Sequence, residues 1–241
     1  MGVHDSYGLI LAGGVGTRMG NAEKPKQYME LAGRPIILYT IEKFLVCPEL
    51  DEVIVLCPRS WIKYTEDLLA KSLPDTAHVH VAEGGSTRNE TIMNGIAWIE
   101  SHGGLTENTV IVTHDAVRPF VTHRILMENI ACARETGACD TVIPASDTIV
   151  ESENGEIISA IPDRRKMYQG QTPQSFRAMT LREQYTALSA EEREILTDAC
   201  KILVMRGQPV RLVRGEVYNI KITYPSDLRM AESILGGQSG C

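Results

Sequence analysis

Several short stretches of this chain carry residues whose types and spacing suit phosphate chemistry. The first is Leu11-Ala12-Gly13-Gly14-Val15-Gly16-Thr17-Arg18-Met19. Glycines permit φ > 0 and let backbone N–H groups approach and cradle phosphate oxygens. A dinucleotide fingerprint, G-x-G-x-x-G, would start at Gly14 and Gly16 but meets Met19, and no Gly-Lys-Ser/Thr closes a Walker A loop. An ordinary tight turn is the competing reading. Arg18 and Lys26 favour the phosphate cradle, because two cations beside a glycine nest suit a triphosphate better than a turn needs them.

Gly84-Gly85-Ser86-Thr87-Arg88 is the second stretch. It either binds a base or phosphate at a helix start, or it only turns and caps. The third, His114-Asp115-Ala116-Val117-Arg118-Pro119, places a carboxylate where Mg²⁺ could bind it together with substrate phosphates. A structural Asp115–Arg118 ion pair is the alternative, and His114 by itself reads as a satisfied loop histidine. Thr197-Asp198 and Asn219-Ile220-Lys221-Ile222-Thr223 are further polar groups at element ends. A lysine inside an apolar-flanked strand, as Lys221 is expected to be, needs a reason.

The elements that must position these residues alternate. Apolar runs at Gly8–Ala12, Val53–Cys57, His78–Ala82, Val110–Thr113 and Thr141–Ala145 read as buried strands. Helical patterns cover Pro35–Leu45, Trp61–Leu69, Thr87 to about Ile99, and Thr122 to about Glu135. Such alternation predicts an α/β, Rossmann-like fold: a mainly parallel sheet with helices on both faces. Parallel sheets bind ligands beyond the carboxyl ends of their strands, where the glycine loops and Asp115 fall. After Ala145 the pattern changes, and Glu153-Asn154-Gly155 signals a hairpin. Residues 146–175 are expected to form an arm leaving the sheet. A helix over Leu181–Leu188, a capping-box start at Ser189, a strand over Val210–Val213 and a helix from Ser226 follow, with residues 236–241 expected to be a disordered tail. The 241 residues are read as one domain.

A formal net charge of −7 argues against nucleic acid as the main partner. Positive charge is concentrated locally, at Arg18, Lys24 and Lys26 and again at Arg164, Arg165, Lys166 and Arg177. The six cysteines form no C-x-x-C pair, so free thiols are expected rather than zinc. Without a membrane-length apolar run or a signal-peptide pattern, a cytoplasmic location and no membrane partner are expected.

Together the motifs resemble the cytidylyltransferase family of methylerythritol phosphate and ribitol phosphate enzymes. The match runs in order through Leu11–Met19, Pro25-Lys26-Gln27, Gly84-Gly85-x-x-Arg88, His114–Pro119, Thr172-Pro173-Gln174-x-Phe176, Thr197-Asp198 and Asn219-Ile220-Lys221. It covers nearly the whole chain. Tyr168-Gln169-Gly170-Gln171-Thr172-Pro173-Gln174 and Leu196–Lys201 are more similar to the ribitol 5-phosphate branch. Ala116-Val117 departs from the Ala-Ala pair usual in methylerythritol enzymes. The resemblance implies that CTP and D-ribitol 5-phosphate give CDP-ribitol and pyrophosphate, with 2-C-methyl-D-erythritol 4-phosphate as the alternative acceptor. A non-catalytic nucleotide-binding regulator is a further reading, against which Lys26, Asp115 and Lys221 all stand in place.

It implies roles as well. Arg18, Lys26 and Lys221 would be catalytic, stabilising the α-phosphate and departing pyrophosphate. Leu11, Ala12, Gly13, Gly14, Gly16, Thr17, Gly85, Ser86, Arg88 and Thr91 would seat the nucleotide. Asp115, Arg118, Thr148, Arg164, Thr172, Thr197 and Asp198 would meet the acceptor, and Asp115 would hold Mg²⁺ or another divalent cation. The arm would exchange between two subunits of a homodimer, bringing some acceptor groups across the interface.

Overall fold

The computed structural model describes residues 5–14 and 24–238. Its central sheet has seven strands: β1 (Ser6–Leu11), β4 (Glu52–Cys57), β5 (Val79–Glu83), β6 (Val110–Asp115), β7 (Ala138–Pro144), β8 (Tyr168–Arg177) and β9 (Arg211–Arg214). A two-stranded ribbon of β2 (Glu30–Leu31) and β3 (Arg34–Pro35) lies apart from it. The sheet order is β5-β4-β1-β6-β8-β7-β9. Every pairing is parallel except those of β8, which runs antiparallel between β6 and β7. This is the mainly parallel α/β, Rossmann-like sheet that the alternation predicts.

Burial explains why the inner strands read as continuous apolar runs. Leu9, Ile10, Ile54, Val55, Ile111 and Val112 are all fully buried, because helices cover both faces. On one face α1 (Ile36–Leu45) and α4 (His123–Thr136) pack Ile37, Ile41, Phe44, Ile125 and Ile130 into one cluster. On the other, α3 (Arg88–His102), α5 (Ala178–Thr186) and α7 (Cys200–Met205) contribute Ile92, Ile96, Ile99, Leu181 and Ile202. The remaining helices are α2 (Ile62–Ser72), α6 (Ala190–Glu194) and α8 (Pro225–Gln238). Thr122 and Thr87 cap α4 and α3 as their positions suggest. The Ser189 capping box is complete. At Thr87 only half the box forms, since the Glu90 carboxylate turns back to the Ser86 N–H and hydroxyl instead.

Four expectations need correction. The arm does not reach residue 175: β8 takes residues 168–177 back into the sheet, and Gln171, Thr172, Gln174 and Ser175 are buried there. Glutamines and Pro173 hide this strand from a pattern search. The 153–155 hairpin reduces to a turn, with Gly155 at φ 77°, and a single bridge between Glu151 and Ala160. Lys221 lies on an irregular segment after β9 and not in a strand. Finally, α8 continues to Gln238, so residues 236–238 are helical. Residues 239–241 lie outside the described part.

Candidate active site

Beyond the carboxyl ends of β1 and β6 opens a cavity of about 350 Å³. Leu11, Gly13, Gly14, Lys26, Gly85, Ser86, Arg88, Thr91, Asp115 and Lys221 line it, so residues from both ends of the chain meet there. Local chemistry shapes each wall. The Gln27 side chain donates to the Ala12 carbonyl at 2.6 Å, tying the segment after the glycine loop back to β1. Ala12 is itself buried and supports the loop from beneath. The Gly85 N–H donates to Thr91 Oγ1 at 3.0 Å, so the second glycine pair folds onto the first turn of α3. Gly16, Thr17 and Arg18 fall outside the described residues.

Asp115 is the electrostatic centre. Its carboxylate lies 2.9 Å from Lys221 Nζ, 3.4 Å from Arg118 Nε and 3.8 Å from Arg88 Nε. Burial pushes this carboxyl up. Arg88, Lys221 and Arg118 outweigh burial and hold it far below the usual carboxylate range. Because one anion faces three cations, the cluster keeps net positive charge for an anionic ligand. Arg88 Nη1 is buried with no hydrogen-bond partner among the described residues, a donor left over by the fold.

His114 is the satisfied histidine its context suggests. It is fully buried. Its Nε2 lies 3.0 Å from the Arg118 carbonyl and its Nδ1 lies 2.9 Å from Thr172 Oγ1. A carbonyl can only accept, so Nε2 carries the proton and Nδ1 accepts from the threonine. Burial pulls its pKa down to about 4. Arg118 donates from Nη1 to the Asn219 carbonyl at 2.7 Å, and Asn219 Nδ2 donates to the Thr172 carbonyl at 2.8 Å. These bonds lock β6, β8 and the Lys221 segment together.

A second, smaller cavity of about 160 Å³ shares Arg88, Asp115 and Lys221 with the first and adds Arg118, Gln171, Thr172, Gln174, Thr197 and Asp198. A register shift between Asp140 and Val142 on β7, opposite residues 170–174, creates this wall. Gln171 and Gln174 were not singled out as contacts in the sequence, though they stand in the Tyr168–Gln174 stretch that carries the resemblance. Thr148 and Arg164 line neither cavity. Both are exposed on the arm, where Arg164 Nη1 donates to the Ser146 carbonyl at 2.8 Å.

The donor set around Asp115 does not fit a protein-held Mg²⁺. Such an ion prefers several oxygen ligands, whereas this single carboxylate already faces three cations.

A family model described as 2-C-methyl-D-erythritol 4-phosphate cytidylyltransferase matches residues 7–237. The chain belongs to this cytidylyltransferase family. Solved structures agree. A 4-diphosphocytidyl-2C-methyl-D-erythritol synthase from Anaerococcus prevotii is 26% identical, with TM-score 0.79 over 96% of each chain. The 2-C-methyl-D-erythritol 4-phosphate cytidylyltransferase of Francisella tularensis is also 26% identical, with TM-score 0.78 over 95% of this chain and 99% of its own. That of Thermus thermophilus has TM-score 0.70 at 26% identity, over 96% and 98%. The two cavities meet at Arg88, Asp115 and Lys221, which line both.

Proposed function

We propose that the protein joins CTP to a polyol phosphate, releasing pyrophosphate. The observation that carries this is the pair of cavities sharing Arg88, Asp115 and Lys221. The acceptor phosphate is already an anionic nucleophile, so no general base is needed. One of its oxygens attacks the α-phosphorus in line, the bond to the bridging oxygen breaks, and pyrophosphate leaves. The work of the site is to bring two anions together and stabilise the spreading charge. Lys221, held by Asp115, would face the α-phosphate from the shared wall, and Lys26 with Arg18 would hold the leaving pyrophosphate. The glycine loop, Gly85, Ser86, Arg88 and Thr91 would seat the nucleotide. Arg118, Thr172, Thr197 and Asp198 would face the acceptor. Any Mg²⁺ would have to be held mainly by the triphosphate itself.

The family match and the names of the similar structures support 2-C-methyl-D-erythritol 4-phosphate as the acceptor. A second reading, D-ribitol 5-phosphate, rests on Tyr168–Gln174 and Leu196–Lys201. Part of each segment lines the smaller cavity, through Gly170, Gln171, Thr172, Gln174, Thr197 and Asp198. Pyrophosphate release from CTP, measured with both acceptors in parallel, separates the two. Turnover with methylerythritol phosphate alone removes the ribitol reading, and the reverse removes the first. No release with either sinks the transferase proposal in favour of a nucleotide-binding regulator.

The arm is proposed to complete the acceptor site across a homodimer. Ile157, Ile158 and Ile161 stand 70%, 56% and 62% exposed on it, an apolar surface suited to a second subunit. Thr148 and Arg164, which miss the cavities of their own chain, would reach those of the partner. No helix among the described residues is long and apolar enough to cross a membrane.

A further inference from the structure

Cys47, Glu49 and His123 converge away from the nucleotide cavity, sharing no residue with its walls. Cys47 follows the end of α1, where its N–H bonds to the Phe44 carbonyl at 3.1 Å. The Leu50 N–H then bonds to the Cys47 carbonyl at 3.1 Å, and this turn brings Glu49 back over the thiol. His123 is the first residue of α4, just after its Thr122 cap. Cys47 Sγ is 3.4 Å from Glu49 Oε2, and His123 Nε2 is 3.7 Å from the same oxygen. All three ligand atoms lie within 4.8 Å of one another.

Those separations are near what a tetrahedral ion imposes. Bond lengths of about 2.3 Å to sulfur and about 2.0–2.1 Å to nitrogen and oxygen put sulfur and oxygen roughly 3.5 Å apart, and nitrogen and oxygen roughly 3.3 Å apart. Without an ion, the same geometry is a thiol and an imidazole sharing one carboxylate oxygen, and metal counting separates the two states. Thiolate with imidazole selects a borderline metal such as zinc over magnesium. We propose that Cys47, Glu49 and His123 form a binding site for a zinc-class divalent cation, with water completing the coordination. On binding, Cys47 gives up its thiol proton to solvent and the sulfur bonds the metal. The ion would tie the end of α1 to the start of α4, and so brace the loop that runs from Asp115 back to His123.

The full chain, stripped with chelator and kept reduced, is dialysed against Zn²⁺ and its bound metal counted. The same chain is titrated with Co²⁺, whose thiolate charge-transfer absorption reports a sulfur ligand. One ion per chain with that absorption is expected. His123→Ala and Glu49→Gln should each weaken binding at least about tenfold, the lower scale seen even for groups that only orient a ligand. Cys47 is buried, so the test rests on the variants of its two less buried partners, with an unchanged circular dichroism spectrum and melt of the metal-free chain as the fold control. Absence of a bound ion, absence of the thiolate band, or equal affinity in His123→Ala each overturns the site.

Discussion

Two titratable groups in the sheet pull stability in opposite directions with pH. His114 is held neutral by burial, with its pKa down to about 4, so the unfolded chain binds the extra proton between about pH 4 and 6.5. Its contribution is therefore complete above about pH 6.5 and is lost as pH falls towards 4. Asp140 behaves oppositely. Burial, then the Asp198 carboxylate, push it up to about 6 against a hydrogen bond from Gln174. The folded chain there binds the extra proton between about pH 4 and 6, and stability declines as pH rises through that range. Asp140→Asn should therefore stabilise the protein by roughly 1–3 kcal/mol at pH 7, an advantage that shrinks to nothing near pH 4. Denaturant melts of both proteins across that range check this. An advantage independent of pH would contradict the assignment. At this same scale, the sequence showed which residues carry charge but not what faces them. That Asp115 would meet Lys221, more than a hundred positions away, follows only from β6 ending beside the irregular 219–223 segment.

Among the elements, the turn ahead of α3 is tightly constrained by backbone. An added Cβ at Gly85 would come within 2.7 Å of the Glu90 carbonyl carbon and 2.8 Å of the Thr91 nitrogen. Gly85→Ala must therefore shift the cavity wall. Misplacement on the order of an ångström is expected to cost about 10²-fold in kcat/KM for CTP, with a folded chain by circular dichroism. Kinetics within a few-fold of wild type would show that this wall does not position the nucleotide. The cap at Thr87 and the glycine pair were legible in the sequence, because capping and turning are local. The strand β8 was not. Its Gln-Gly-Gln-Thr-Pro-Gln run lacks both alternation and an apolar block, and it becomes a strand only because β6 and β7 offer edges on either side.

For the whole molecule, the exposed arm is the feature that a single chain leaves unfinished. If it docks on a second subunit, Ile158→Asp with Ile161→Asp should convert a dimer to a monomer by sedimentation. The acceptor KM should rise while CTP binding is spared, since the cavity proposed for CTP is lined by residues of one chain. A wild-type monomer at micromolar concentration would remove the arm's proposed role.

The sequence by itself carried the alternation of the inner strands and helices, the Gly84-Gly85 turn, the caps at Thr87, Thr122 and Ser189, and the resemblance to the family. Each of these depends on local periodicity, on backbone freedom, or on motifs kept in register along the chain. Tertiary structure alone decided that Asp115 is an ion-pair hub and a poor metal ligand. It also decided that β8, and not the arm of the same chain, walls the smaller cavity beside Asp115, and that Cys47, Glu49 and His123 meet. These outcomes turn on distances between groups far apart in the chain, and such distances are set only when the sheet closes and its two faces are buried.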